Sequence, residues 1–179
     1  MVKARLKEQD IELKAQVIDE NALRQQAAEA KADGDSVGGE IACTVTGLPA
    51  GLGGPGWREA VESELARHLF AIPAVKALGF GDGAALAHMR GSRANDPLRT
   101  DGTRVRTVTN HNGGINGGIT NGMPLTFTVT FKPTPSIALP QDTVDLSRME
   151  NCTVAVTGRH DPCIALRAAP IVEAAAALA

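Results

Sequence analysis

The chain has 179 residues, of which 43% are hydrophobic and 21% charged, and its formal net charge is −2. This composition argues against a disordered chain and predicts a single domain over residues 1–179 with its own hydrophobic core. A near-neutral charge gives no broad basic field, so we expect neither nucleic acid nor an anionic membrane as a partner.

The cysteines and the first residues indicate the cellular context. Cys43, Cys152 and Cys163 are odd in number and show no Cys-x-x-Cys spacing, so neither a disulfide framework nor a zinc site is indicated. The chain begins MVKARLKEQDIELK, which lacks the apolar core of a signal peptide, and no apolar run is long enough to cross a bilayer. We therefore expect a cytoplasmic protein.

The first third of the chain predicts helix and then strand. Residues 1–30 are charge-rich and predict a helical lead, with Ala22–Ala32 as an exposed helix that ends at Gly34. Ser36–Thr46 places apolar residues on one side and predicts a strand.

The middle of the chain alternates compact elements with loops. A stripe at four-residue spacing predicts a helix whose apolar face belongs to the core: Trp57, Val61, Leu65 and Leu69. Ile72–Phe80 predicts a short strand that runs into a turn at Gly81-Asp82-Gly83. Residues 91–106 lose all periodicity and are rich in arginine, which predicts a loop that is either functional or mobile without its ligand.

The last third predicts two strands and a helix. Leu125–Phe131 alternates apolar residues with threonine, as in a half-buried strand, and Thr153–Val156 predicts a short buried strand. Asp161 is a good N-cap with Pro162 in the first helical position, so helix amides would point toward Arg159 and an anion. Arg159 could equally pair with a surface carboxylate. The order of elements, approximately helix, strand, helix, several strands and helix, predicts an α+β fold.

A glycine-dense loop precedes the strand at Leu125–Phe131. Gly113, Gly114, Gly117 and Gly118 lie there among asparagines. Glycine lets main chain approach a bound group, so bare amides could reach a cofactor. The same spacing is equally compatible with a tight hairpin or a bulge. Lys132 and several hydroxyl groups follow the strand directly, a combination that suits an anionic ligand.

Seven segments, in this order, are similar to the chorismate synthase family. They are Gly34–Gly39, Gly47–Gly53, Ala74–Lys76, Gly81–Gly83, Asn110–Gly118, Lys132–Ser136 and Gly158–Cys163. The similarity is specific because many motifs recur at compatible intervals, and it covers residues 31–179. It implies half of a β-α-β sandwich of the chorismate synthase type, with antiparallel strands packed on helices.

The resemblance also implies an activity. Family members form homotetramers that bind reduced FMN, with NADPH as a candidate reductant, and 5-enolpyruvylshikimate 3-phosphate. They release phosphate in a 1,4-anti elimination that yields chorismate, in the shikimate pathway of aromatic amino-acid biosynthesis. The cofactor leads this chemistry without net redox change, and no metal is implied.

Site residues follow from the same motifs. The family's contacts to FMN and its phosphate fall on Pro73, Ala74, Gly117, Lys132, Pro133, Thr134, Pro135, Ser136 and Arg159. Asp161 matches the aspartate beside the flavin N5 and is the implied catalytic residue, able to accept or relay a proton. His111 and His160 match family motifs too, although histidines in glycine-rich turns often only hydrogen-bond main chain.

The chain also departs from the family. Family members are about twice as long, and their N-terminal half, with a Gly-Ser-His motif and two catalytic histidines, has no counterpart here. We therefore expect this chain alone to be catalytically incomplete. Gly54, Trp57 and Pro73 are atypical, which leaves details near the first helix and the flavin edge open.

Two other functions remain to be weighed. One alternative is a non-catalytic fragment that binds flavin or phosphate and acts in assembly or regulation. Another is an FMN-dependent oxidoreductase, which the sequence disfavours because it has no Gly-x-Gly-x-x-Gly between a strand and a helix.

Overall fold

A computed structural model describes residue 6 and residues 8–179. In this part of the chain the elements follow in the order β1 (Glu12–Val17), α1 (Glu20–Ala32), β2 (Gly39–Thr46), α2 (Val61–Phe70), β3 (Val75–Phe80), a 3₁₀ helix (Gly83–His88), α3 (Gly91–Ala94), β4 (Leu98–Thr100), β5 (Val105–Thr107), β6 (Ile115–Asn116), β7 (Ile119–Thr120), β8 (Leu125–Phe131), β9 (Gln141–Asp145), β10 (Glu150–Val154) and α4 (Ala165–Leu178).

The centre of the fold is a four-stranded antiparallel sheet with the order β1-β2-β8-β3. The alternation in β8 sets its two faces: its four apolar side chains are buried, and the three threonines between them are half-buried. In the register, Val129 of β8 lies opposite Ile41 of β2, and both are fully buried. The strand predicted at Leu125–Phe131 is confirmed.

Helices cover one face of this sheet. Leu23 and Ala27 from α1, and Leu65 and Leu69 from α2, are buried in the same cluster as Val172 of α4. A Cβ atom at Gly39 would lie 2.7 Å from both the Cβ of Ala165 and the Cδ2 of Leu23, so glycine lets strand and helices approach closely. The predicted fold of antiparallel strands packed on helices is confirmed.

The helical lead predicted for residues 1–30 is wrong in its middle. Glu12–Val17 forms β1, which pairs antiparallel with β2 from Glu12 opposite Thr46 to Val17 opposite Ile41. Its alternating exposure, with Leu13, Ala15 and Val17 half-buried, shows the period of an edge strand. The helix predicted at Ala22–Ala32 is present as α1, and residues 1–5 and 7 of the predicted lead lie outside the described residues.

The short buried strand predicted at Thr153–Val156 is also wrong. The strand spans Glu150–Val154, and every residue in it is exposed. It pairs only with β9, so the two form a hairpin outside the main sheet. The high strand propensity of these residues therefore predicted that a strand is present, but it did not predict that the strand is exposed.

Trp57 does not belong to the apolar stripe of α2. The helix begins at Val61, and Trp57 lies before it with 76% of its surface exposed. Leu65 and Leu69 are buried as predicted. The turn that intervenes is closed at Gly56, whose carbonyl accepts hydrogen bonds from the amides of Glu59 and Ala60.

The arginine-rich segment at residues 91–106 has more local order than its aperiodic sequence predicts. It holds the short helix α3 and the hairpin of β4 with β5. The Oδ1 atom of Asp101 accepts hydrogen bonds from the amides of Thr103 and Arg104, which closes the hairpin turn. Across the described residues, no helix has both the length and the apolar character needed to cross a membrane.

Candidate functional site

Three sequence-distant segments meet at the end of the sheet where β8 finishes. In the register, Phe131 of β8 lies between Gly39 of β2 and Val75 of β3. The segments that flank these positions, residues 34–38, 73–74 and 132–136, therefore emerge side by side. Each overlaps a motif of the family, and residues 73–74 and 132–136 contain predicted flavin contacts.

Pro73 and Ala74 lie directly beside the start of the Lys132–Ser136 segment. The amide of Lys132 donates a 2.9 Å hydrogen bond to the carbonyl oxygen of Ala74. Ala74 has a φ of 71°, a left-handed conformation that is uncommon for a residue with a Cβ atom. The contact thus depends on a backbone shape that the sequence did not reveal.

The Lys132–Ser136 segment is held from both sides. The hydroxyl of Ser36 donates a 2.7 Å hydrogen bond to the carbonyl oxygen of Thr134, and the side-chain amide of Gln141 donates one of 3.2 Å to that of Pro135. A Cβ atom at Gly38 would lie 2.5 Å from the carbonyl oxygen of Phe131, so this neighbour must be glycine.

Unpaired polar groups remain on this segment. The Oγ1 atom of Thr134 is buried and has no hydrogen-bond partner, which is costly unless a ligand supplies one. The side chains of Lys132 and Arg159 are exposed, and within the described residues neither forms an ion pair. An unpartnered buried hydroxyl and two cations without ion pairs, all carried by these segments, fit an anionic group bearing hydroxyls.

The Gly158–Cys163 motif is tied to the same end of the sheet through Val37, the residue that follows Ser36. The amide of Val37 donates a 2.8 Å hydrogen bond to the carbonyl oxygen of Pro162. Nε2 of His160 lies 2.9 Å from the carbonyl oxygen of Val156, so this histidine bonds main chain. Arg159 and Asp161 are therefore carried by a turn that is fixed at both ends.

Asp161 is not the N-cap of the last helix, as the sequence predicted. That helix begins at Ala165 with Ile164 as its N-cap. Asp161 instead accepts a 3.2 Å hydrogen bond from the amide of Cys163 and forms an ion pair with Arg167. The helix begins four residues after Asp161, so its first amides are not the ones that the sequence predicted to point toward Arg159.

The glycine-dense loop lies at the opposite end of the sheet. The amide of Gly81, which follows β3, donates a 2.9 Å hydrogen bond to the carbonyl oxygen of Thr126 near the start of β8. Since β8 spans Leu125–Phe131, about 20 Å of strand separates this end from Lys132. Gly117 is therefore not brought beside the other predicted flavin contacts.

Most glycines of this loop serve close packing of the main chain. A Cβ atom at Gly113 would lie 2.4 Å from the amide nitrogen of Gly81, and one at Gly118 would lie 2.4 Å from the carbonyl oxygen of Gly54. Gly117 and Gly118 form the two-residue turn between β6 and β7, both with positive φ. The tight-hairpin interpretation is correct here, and only Gly117 of this pair faces open space.

A carboxylate that the sequence did not single out organises this loop. Asp96 accepts hydrogen bonds from the hydroxyl of Thr109, the amide of His111 and both the amide and side chain of Asn112, at 2.7–3.0 Å. Burial raises the pKa of this carboxyl, but the bonds from Asn112, Thr109 and His111 outweigh it and lower the pKa from 3.8 to about 2. Asp96 thus stays ionised.

His111 is held on its other side by Asp82. Its Nδ1 atom lies 2.5 Å from Oδ2 of Asp82, and its carbonyl oxygen accepts a hydrogen bond from the Asp82 amide. The sequence marked Asp82 only as part of a turn. A carboxylate that accepts hydrogen bonds from loop amides leaves no periodic pattern in the sequence. Only two short turn motifs could have indicated these residues: Asp-Gly for Asp82 and Asn-Asp-Pro for Asp96.

A sequence model of the chorismate synthase family matches residues 3–179. The chain belongs to the chorismate synthase family. The match begins well before Lys31, so the region similar to the family is longer than the motifs alone indicated.

Relatives and a solved structure agree with this assignment. Chorismate synthases of Thermococcus gammatolerans and Thermococcus kodakarensis are 53% and 50% identical to the chain, over 159 and 156 residues. Each match covers 87% of this chain and 44% of the relative. A crystal structure of a chorismate synthase superposes with a TM-score of 0.79 at 21% identity, covering 99% of this chain and 57% of that one, which shows a shared fold. The chain therefore spans less than half the length of these curated relatives.

Proposed function

We propose that this chain supplies the part of a chorismate synthase active site that binds FMN and phosphate groups. The enzyme would convert 5-enolpyruvylshikimate 3-phosphate to chorismate by 1,4-anti elimination of phosphate. The observation that carries the proposal is the junction of four segments at one end of the sheet, residues 34–38, 73–74, 132–136 and 158–163. They are joined by the bonds from Lys132 to Ala74, Ser36 to Thr134 and Val37 to Pro162.

The residues at this junction fit FMN. Lys132 and Arg159 are free cations for a phosphate, and the buried hydroxyl of Thr134 lacks a partner that a ribityl or phosphate oxygen could provide. Pro133 and Pro135 restrict the backbone on either side of Thr134. Little conformational entropy of this segment is therefore lost when a ligand binds. Reduced FMN would supply a transient electron to the substrate as phosphate leaves, with no net redox change.

Asp161 is the residue that we assign to proton transfer. Its Oδ2 atom pairs with Arg167 and its Oδ1 atom accepts the Cys163 amide, so the carboxylate is held in one orientation. A carboxylate with a fixed direction can accept a proton without first being ordered. In this account Arg167 is a positioning residue, and Arg159 stabilises the anionic group that leaves.

The rest of the site would come from outside this chain. Because the chain covers 44% of its relatives, we propose that the complete active site needs the remaining part of such a protein. We also propose the family's homotetramer in the cytoplasm. The hairpin of β9 and β10 supports association, since Leu146 and Met149 are 77% and 82% exposed. Sedimentation of a clean monomer at high concentration would count against it.

Titration with FMN tests the cofactor site directly. We expect saturable quenching of flavin fluorescence by the chain, competition by inorganic phosphate, and about tenfold weaker binding in Lys132→Gln, because a charge-assisted contact to phosphate is lost. Lys14→Gln is the matched control, since Lys14 is exposed on β1, an edge strand that does not pair with β8.

Two results would reject the site. One is the absence of saturable binding at any FMN concentration, and the other is equal loss of affinity in Lys132→Gln and Lys14→Gln. FMN binding that persists in a protein that never supports chorismate formation would favour the non-catalytic alternative.

A further inference from the structure

Two exposed aromatic rings share one surface depression on the outside of α2. The chain has four phenylalanines, one tryptophan and no tyrosine. Phe80, Phe127 and Phe131 lie in or against the core, whereas Trp57 is 76% and Phe70 51% exposed. Trp57 and Phe70 line the same depression. A chain this poor in aromatic residues thus leaves its remaining two rings in solvent at a single place.

The depression is built on a fixed scaffold. Phe70 and Arg67 lie one turn apart on α2, and Trp57 and Arg58 lie in the turn closed by the carbonyl of Gly56 just before that helix. The guanidinium carbon of Arg58 lies 4.6 Å from the centroid of the indole ring. This cation–π contact places a guanidinium on one face of the ring, while the residue as a whole stays 76% exposed.

The charges around the rings are mainly positive. Arg58 forms no ion pair within the described residues. Arg67 pairs with Glu64, and Oε1 of Glu64 also lies 3.4 Å from Nδ1 of His68. The charged residues that line the depression are therefore two arginines and one glutamate, and that glutamate has a second partner in His68. The depression is shallow and opens broadly to solvent, and its volume is about 650 Å³.

We propose that this depression binds a planar aromatic ring that carries an anionic group. The ring stacks on the face of Trp57 opposite Arg58 and against Phe70, and the anion contacts Arg58 and Arg67. Guanidinium groups recognise carboxylate and phosphate alike, so the anion is either an aromatic carboxylate or the phosphate of a nucleotide. This proposal stands independently of the FMN site at the end of β8.

Fluorescence of Trp57 provides the test, because it is the single tryptophan of the chain. The probes are benzoate, adenosine monophosphate, cyclohexanecarboxylate and inorganic phosphate, each titrated against the folded chain. We expect a saturable change in emission with benzoate or adenosine monophosphate, and at least fivefold weaker binding of cyclohexanecarboxylate, which has the charge of benzoate but cannot stack. The tighter of the two aromatic probes identifies the source of the anion.

Variants separate this site from non-specific quenching. Arg67→Gln and Phe70→Leu should each weaken binding at least threefold, whereas Glu64→Gln should strengthen it two- to threefold because a competing carboxylate is removed. Arg24→Gln, an equal loss of charge on α1, should leave it unchanged.

Three outcomes of these titrations would overturn the proposal. They are a linear change in emission with every probe, equal affinity for benzoate and cyclohexanecarboxylate, and weaker rather than stronger binding in Glu64→Gln. A blue-shifted emission that depends on protein concentration without any probe would also overturn it, since a protein surface would then cover Trp57.

Discussion

The amide of Lys132 donates a 2.9 Å hydrogen bond to the carbonyl oxygen of Ala74, a residue with a left-handed φ of 71°. This contact joins two segments that the family motifs assign to the same cofactor but that lie far apart along the chain. An alanine in left-handed geometry persists only where its surroundings determine the backbone. The position of the candidate site therefore depends on backbone strain as well as on side chains.

Ala74→Val should destabilise the protein. A β-branched side chain at positive φ is strongly disfavoured, so we expect the free energy of unfolding to fall by about 1–2 kcal/mol. Urea denaturation measures this loss. Ala77→Val is the control, because Ala77 is exposed in β3 where a β-branched residue is well tolerated. Equal effects of the two substitutions would contradict the role assigned to Ala74.

Ser36→Ala should loosen the Lys132–Ser136 segment. The substitution removes the hydrogen bond to the carbonyl oxygen of Thr134, at a cost of about 0.5–1.5 kcal/mol. Hydrogen exchange should show faster opening near Thr134 and little change elsewhere. In Ser92→Ala, an exposed serine in α3 with no side-chain hydrogen bond within the described residues, exchange should match the parent. Unchanged protection in Ser36→Ala would rule out the tether.

Gly117 and Gly118 give a matched pair in one turn. Both have positive φ, but a Cβ atom at Gly118 would lie 2.4 Å from the Gly54 carbonyl oxygen, and one at Gly117 meets nothing within 4 Å. Gly117→Ala should cost about 1 kcal/mol of stability, the price of left-handed geometry, and Gly118→Ala roughly 3 kcal/mol or more. Thermal unfolding compares them. A larger loss in Gly117→Ala would mean that the loop is packed differently.

Asp96 should make stability depend on pH at the acid end. Because its folded pKa, about 2, lies below the ordinary 3.8, its contribution is fully present above about pH 4 and is lost as pH falls through 2. Asp96→Asn should lower the free energy of unfolding by on the order of 1–2 kcal/mol at pH 7, allowing for its partial exposure. Its amide would also point a donor at the donors of Thr109 and Asn112.

The gap between Asp96→Asn and the parent protein should close as pH falls from 4 to 2. Denaturation of both proteins across this range measures it, with Asp142→Asn, an exposed carboxylate in β9, as the control. A gap that stays constant with pH would show that the carboxyl titrates normally.

Periodicity in the sequence predicted the elements that build the core. The alternation in Leu125–Phe131 and the spacing of Leu65 and Leu69 were sufficient, because one face of each element is buried. The alternation typical of a strand is also present in Glu12–Val17, where polar and apolar residues alternate. We missed it because the surrounding stretch is rich in charged residues, which favoured a helix. An apolar pattern with four-residue spacing also extended the α2 stripe to Trp57, which lies before the helix.

The candidate site was predicted less completely, for a physical reason. Family motifs identified Lys132–Ser136, Arg159 and Asp161, and the structure brings these segments together through Ser36 and Val37. Which segments meet depends on strand order and register, which no local pattern encodes. The sequence also does not encode locally that Asp161 pairs with Arg167, or that Gly117 lies at the opposite end of the sheet from the other predicted flavin contacts.

Complementation tests the central claim most directly. This chain is mixed with the part of the Thermococcus gammatolerans chorismate synthase that it does not cover, and chorismate is measured with 5-enolpyruvylshikimate 3-phosphate and reduced FMN. We predict chorismate from the mixture but not from either piece, no net flavin oxidation, and at least a tenfold loss in Arg159→Gln. Chorismate formation by this chain alone, or a stable complex of the two pieces that forms none, would contradict the account.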